Sequence, residues 1–143
     1  MIKEKDKRII KLLRNNSRMK LKEISLELDM PITTVFERMK TIKKLILKNT
    51  SILDYKKINY PIKVIYGINA YDLNKDKIIQ YLNKDKNVDN LFHCNGSYNI
   101  LIEAFFVDLN EANEFYESLK LFYPMKITEH QVINDIKKEE FYT

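Results

Sequence analysis

One cysteine, two glycines, two histidines and no tryptophan occur in 143 residues, and each shortage excludes something. A lone Cys94 closes no internal disulfide and makes no CxxC pair, in keeping with a reducing compartment. With glycine only at Gly67 and Gly96 there is no Gly-rich loop to cradle phosphates, and no HExxH occurs either. No apolar run approaches the ~20 residues of a membrane helix. The opening MIKEKDKRII carries no apolar signal-peptide core, so a cytoplasmic location without a membrane partner is expected. His93, Cys94 and His130 are the only residues suited to metal or nucleophilic work, and neighbours such as His93 and Cys94 point to opposite faces of a strand. They read as core, interface or exposed side chains. No metal, no cofactor and no catalytic residue is expected.

What the chain does have is basic charge concentrated at one end. Through Tyr60 there are 16 Lys and Arg against 7 Asp and Glu, a net of +9, whereas from Pro61 onward there are 9 against 13, a net of −4. A basic module on an acidic remainder fits phosphate binding confined to the N-terminal end, and the step near Tyr60 favours two small domains over one.

The basic end also carries a pattern. In Leu21 to Lys44, LKEISLELDMPITTVFERMKTIKK, the residues Leu21, Ile24 and Leu28 share one helical face. Asp29, Met30 and Pro31 then break the run, because proline lacks an N–H and crowds the residue before it. A second helix begins at Pro31, with Val35, Met39, Ile42 and Ile46 as its core stripe at ~100° per residue. Thr33, Glu37, Lys40, Thr41 and Lys44 lie opposite, with Thr34 and Arg38 on the flanks. Upstream, Asp6 to Leu13 reads as a supporting helix. This is the anatomy of a helix-turn-helix, in which short hydroxyls and long cations reach base edges and phosphates. Downstream, Ile46 to Tyr55 reads as a β-prone segment or hairpin in the position of a wing.

From Pro61 the apolar period changes repeatedly. Lys63 to Tyr71 reads as a strand, Asn74 to Asn83 as a helix, Val88 to Asn95 and Tyr98 to Val107 as strands joined by a turn at Gly96. Leu109 to Phe122 reads as a helix closed by Pro124, and Lys126 to Ile136 as a last strand. The order βαββαβ is ferredoxin-like, with the second and fourth strands at opposite sheet edges. Tyr66, Tyr71, Tyr98 and Tyr116 raise the alternative of RNA stacking on the sheet. The acidic balance of this half and the missing Gly-, Lys- and aromatic-rich motif favour core packing and subunit contacts for them.

Taken together, DKRIIKLLRNNSR at Asp6 to Arg18, TTVFERMK at Thr33 to Lys40 and the Gly-x-Tyr-x hairpin within a βαββαβ half resemble the Lrp/AsnC family of transcription regulators over nearly the whole chain. The resemblance implies homodimers that build tetramers or octamers, operator binding through paired N-terminal modules, and sensing of an amino acid or related small molecule by the C-terminal domain. The chain departs from the family pattern where Pro31 replaces a capping serine and where Leu45 or Ile46 replaces a glycine. It departs again at the hairpin Gly96, Ser97, Tyr98, Asn99, which replaces Gly, an acid, an aromatic and Asp. That last change removes the carboxylates a ligand ammonium would pair with.

The expected architecture is therefore α+β, an N-terminal (winged) helix-turn-helix followed by a ferredoxin-like βαββαβ domain. It comprises a DNA-binding domain over residues 1–50, a linker or wing strand over 51–62, and an effector and oligomerisation domain over 63–143. The expected function is sequence-specific binding of double-stranded DNA for transcriptional control. Thr33, Thr34, Glu37, Lys40 and Thr41 are candidates for base reading or close groove approach. Arg38, Lys44 and Lys48 are candidates for phosphate contacts, and Arg18, Lys20 and Lys22 for outer anchoring. Gly96, Ser97, Tyr98 and Asn99 are the candidate effector loop. The competing expectation is a small-molecule sensor or enzyme-accessory domain without specific DNA binding.

Overall fold

The computed structural model describes residues 2–143, which divide into two units: the residues up to Ile52 together with Ile136–Thr143, and Leu53–Asp135. In the first unit, amphipathic spacing makes three helices, α1 (Glu4–Asn15), α2 (Leu21–Leu28) and α3 (Ile32–Ile42). Each contributes to one small core of Ile9, Ile24, Met30, Val35 and Ile42, packed about by Leu12, Leu13, Leu28 and Met39. Fully burying an aliphatic side chain of this size is worth about 1.5–3 kcal/mol, so five such residues dominate the stability of so small a unit.

The break between α2 and α3 is built from backbone chemistry. Asp29 turns left-handed at φ 49°, a conformation Asp tolerates better than most residues. The Met30 N–H then donates to the Ser25 carbonyl at 3.0 Å, and the Ser25 hydroxyl donates to the Met30 carbonyl. Pro31 sits as the N-cap of α3, extended and contributing no side-chain bond. Arg8 on α1 donates to the Leu28 carbonyl at 3.2 Å, placing a cation at the negative end of α2.

A second tie joins α1 to α3. Asp6 is 3% exposed; one carboxylate oxygen accepts the Lys3 N–H at 2.9 Å, and the other faces the Arg38 Nε at 3.8 Å. The end of the chain returns to the same unit: Arg14 on α1 donates to the Glu139 carbonyl at 2.7 Å and the Phe141 carbonyl at 3.0 Å, and faces the Glu139 carboxylate at 3.6 Å.

Neither the wing strand nor the stripe position of Ile46 is formed. After Ile42 the helix tightens into a 3₁₀ turn over Lys43–Leu45, which takes Ile46 off the core face and leaves it exposed. Residues 46–54 contain no strand. A hairpin turn wants a residue at positive φ, both glycines lie elsewhere, and the first left-handed residue after Asp29 is Asn59 at φ 67°.

The second unit has β1 (Ile62–Asn69), α4 (Asp72–Asn83), β2 (Val88–His93), β3 (Ile100–Phe106), α5 (Leu109–Lys120) and β4 (Lys126–Gln131) in the βαββαβ order. The strands form one antiparallel sheet ordered β2-β3-β1-β4. Alternation on β1 and β3 sends Val64, Tyr66, Ile68, Ile100, Ile102 and Phe106 toward the helices, where they meet Ile78 and Leu82 of α4 and Phe115 and Leu119 of α5. Tyr66 lies at the centre, its ring 5.1 Å from that of Phe115 and its hydroxyl donating to the Ala112 carbonyl. Burial, with the Glu129 charge adding, pushes its ionisation well above the ordinary tyrosine range. Asp108 caps α5 by accepting the Glu111 N–H at 2.8 Å.

The last strand stops at Gln131 rather than running to Ile136. The Val132 N–H still reaches the Lys63 carbonyl, but β1 begins just after Pro61, which has no N–H to extend the ladder. The β2–β3 connection spans residues 94–99, with Gly96 at φ 149°. Asn99 closes it: its Nδ2 donates to the Ala70 carbonyl at 2.8 Å, its Oδ1 accepts the Ala70 N–H at 2.9 Å, and its own N–H donates to Ile68.

Asn99→Asp sets a carboxylate against the Ala70 carbonyl and should cost about 1–3 kcal/mol at neutral pH by chemical denaturation. A protonated acid can donate where the amide did, so its folded-state pKa is raised and the loss should shrink as pH falls through it; a loss independent of pH would refute the amide's role. Asp6→Ala should cost about 1–3 kcal/mol through the lost cap and ion pair, and Asp6→Asn less.

Candidate nucleic-acid interface

Burial of Val35 and Ile42 against α1 and α2 turns the opposite side of α3 outward, and the outward side chains are the polar ones. Thr33, Glu37, Lys40 and Thr41 are exposed, as is Lys44 in the following turn. Thr33, Thr34, Glu37 and Arg38 line one shallow concavity of about 370 Å³. Lys40 bonds the Glu37 carboxylate at 2.9 Å and rests its ammonium 4.7 Å from the centre of the Phe36 ring. The face therefore mixes hydroxyls, a carboxylate, a cation and an aromatic edge within one helix.

The other cations are arranged differently. Arg38 is part-buried and faces Asp6, so its guanidinium is already engaged within the unit. Lys48 lies beyond the helix in the strandless segment, exposed. Arg18 and Lys20 precede α2, where the Lys20 N–H donates to the Glu23 carboxylate at 2.6 Å, and Lys22 is exposed on the first turn of that helix. Reading the sequence by stripes missed Phe36, because an aromatic beside Val35 was assigned to no face. It also missed the Asp6–Arg38 and Arg14–tail contacts, which join residues remote in sequence.

In the second unit the four hairpin residues are brought together, with the Asn99 amide holding Ala70 through one donor and one acceptor. Tyr98 folds back over β1, where a Cβ on Gly67 would stand 3.0 Å from its ring and 2.9 Å from the Thr128 hydroxyl. Glycine is thus required by close approach. Hydrogen bonds from Lys126 and Thr128 pull the Tyr98 hydroxyl below the ordinary tyrosine range.

The sheet face away from the helices carries rows in register: Phe92, Leu101, Gly67 and Thr128, then Asn90, Glu103, Ile65 and His130. Tyr55 stacks on Phe105 at 3.9 Å, and Lys63 bridges Glu103 at 2.9 Å and Asp135 at 2.7 Å. Burial alone would lower the Lys63 pKa, but the bonds to Asp135 and Glu103 outweigh it and raise it. Phe92 stays 51% and Ile65 38% exposed. His93 and His130 stand on opposite edge strands, and among the described residues no three His, Cys, Asp or Glu side chains gather as metal ligands.

Comparison with known proteins agrees with this geometry. Residues 2–44 match the family model described as winged helix-turn-helix DNA-binding. An uncharacterised HTH-type transcriptional regulator of Pyrococcus abyssi is 30% identical over 99% of this chain and 97% of its own length, and one of Pyrococcus furiosus is 28% identical over 98% and 96%. Among solved structures, LrpC of B. subtilis superposes with a TM-score of 0.86 at 17% identity, covering 96% of this chain and 98% of that one. AsnC of E. coli gives 0.84 at 16%, covering 100% and 99%. A Neisseria meningitidis transcriptional regulator solved as its L-Met complex gives 0.88 at 18%, covering 96% and 94%. Among the described residues no helix is long and apolar enough to cross a membrane. With a three-helix DNA-binding unit and full-length similarity to such regulators, the chain belongs to the HTH-type transcriptional regulators as a DNA-binding member, and its fold is that of the Lrp/AsnC proteins LrpC and AsnC.

Proposed function

We propose that the protein acts in the cytoplasm as a homodimer or higher oligomer that sets two copies of α3 into adjacent major grooves of an operator, half-sites about one helical turn apart or a multiple of it. The observation that carries this is the outward face of α3, where Thr33, Thr34, Glu37, Lys40 and Thr41 are presented on a helix whose rotation is fixed by Val35 and Ile42. These residues read base edges or approach the groove closely. Lys44 and Lys48 meet phosphates, Arg38 reaches the backbone from its tether on Asp6, and Arg18, Lys20 and Lys22 anchor the outside of the unit.

The second unit supplies assembly. Its open sheet face leaves Phe92 and Ile65 in water beside the part-buried Leu101, while Lys63, Glu103 and Asp135 are already paired. An apolar sheet face of this kind is best covered by a second copy of itself, since a two-fold interface is self-complementary. The relative bound to L-methionine makes a free amino acid the effector class to test. At Gly96–Asn99 the loop offers the Ser97 hydroxyl and backbone groups but no carboxylate, so an amino acid held there is held by neutral partners. Calorimetry against the twenty amino acids, showing no heat and no change in DNA affinity, would remove the effector.

Binding to duplex DNA from upstream of its own gene, followed by fluorescence anisotropy over a salt series with unrelated duplex as competitor, tests the DNA reading. Affinity should fall steeply with salt and resist competitor. Thr33→Ala with Thr41→Ala should cost about 1–3 kcal/mol on the operator and little on unrelated duplex, and Lys44→Ala should weaken both and lower the salt slope by roughly 1 per subunit. Equal losses on both DNAs from the threonine pair would contradict their assignment. Ile65→Glu, set beside Glu103, should shift the sedimenting mass from a multiple of 17.2 kDa toward that of the single chain.

A further inference from the structure

Recognition helices normally keep large apolar side chains on the inner side, yet Ile32 and Phe36 are each about half exposed, at 48% and 49%. Isolated exposed apolar residues are ordinary. These two stand four residues apart, hence adjacent on one edge of α3, and Phe36 projects ~60° around the axis from Thr33. The edge therefore borders the face assigned to the groove.

The ring is also oriented. Lys40 lies over it at 4.7 Å while bonded to Glu37 at 2.9 Å, so a cation held by a carboxylate covers one side of the aromatic. A second protein would be met by this edge only with Lys40, Lys43 and Lys44 at its border, a setting that favours a polyanion. Within a major groove the apolar group that a polyanion presents is the 5-methyl of thymine, which phenylalanine contacts directly.

The geometry points to Phe36 as a specificity-determining residue that reads a thymine methyl in the operator half-site, with Lys40 and Glu37 positioning its ring. This rests on the DNA-binding role of α3 proposed above. Thr33 and Glu37 read hydrogen-bonding edges; Phe36 adds an apolar contact to the 5-methyl, a group that cytosine lacks.

The test uses the full chain and a duplex enriched by in vitro selection on it. Each thymine is replaced singly by deoxyuridine, which removes the methyl and keeps the base pair, and affinities are compared for wild type, Phe36→Ala and Phe36→Leu. Phe36 is half exposed, so the variants should keep the helical circular dichroism of the parent. At one thymine in the half-site the substitution should weaken wild type roughly fourfold, leave Phe36→Ala unchanged and affect Phe36→Leu to an intermediate degree. A flat uracil scan with wild type, or the same loss in Phe36→Ala as in wild type, overturns the role of Phe36 while leaving specific DNA binding intact. Failure of the selection to enrich any duplex overturns both.

Discussion

The rotation of α3 about its own axis is the constraint on which the functional surface depends. Val35 and Ile42 are seven residues apart, two helical turns, and both are buried against Ile9 and Ile24. A twist of the helix by a fraction of a turn would bring polar side chains into that core at several kcal/mol each, so the outward set is fixed by what is inward. Asp6 adds a polar register mark, because its carboxylate is buried and Arg38 on the flank of α3 is its counterion. The hydroxyl, carboxylate and lysine face is thus held by apolar packing behind it and by one ion pair on its flank.

In the second unit the same logic operates with a period of two. One face of β1 is consumed by the helices through Val64, Tyr66 and Ile68, and the other must accept whatever stands at 63, 65, 67 and 69. There the chain uses a paired lysine, an isoleucine and a glycine that makes room for the Tyr98 ring. Asn99 then clamps the hairpin to the end of β1 through both ends of its amide. An amide donates and accepts at once, which a carboxylate at neutral pH does not. Asn99, where the resemblance implies Asp, is therefore accounted for by a backbone partner that asks for one donor and one acceptor.

Much of this was legible in the sequence. The spacing of Leu21, Ile24 and Leu28, the stop at Pro31 and the switch to alternation after Pro61 gave the three helices, the βαββαβ order and the sheet topology. What was not legible depends on partners far away in the chain. Ile46 follows the helical stripe on paper, but the turn tightens after Ile42. The segment Ile46 to Tyr55 has strand-like composition, yet strands exist only with a partner, and no turn residue returns the chain to make one. Asp6 and Arg14 look like ordinary solvated charges until the fold brings Arg38 to the first and the tail's carbonyls to the second.

Charge and shape divide the work of recognition unequally. Exposed pairs such as Glu37–Lys40 contribute at most about 1 kcal/mol and are screened by salt, so the pair can open to a phosphate or a base edge at little cost. That makes it a device for orientation rather than for stability: it keeps Lys40 above the Phe36 ring until a stronger anion arrives. The basic first unit, at a net of +9 through Tyr60, gives attraction to any duplex, and a field of that kind carries no sequence information. In the proposed complex, discrimination falls to the short side chains of α3, where the hydroxyl of Thr33 and the ring of Phe36 have few rotatable bonds to freeze. On that proposal the long lysines bring the helix to the groove, and the short side chains decide whether it stays.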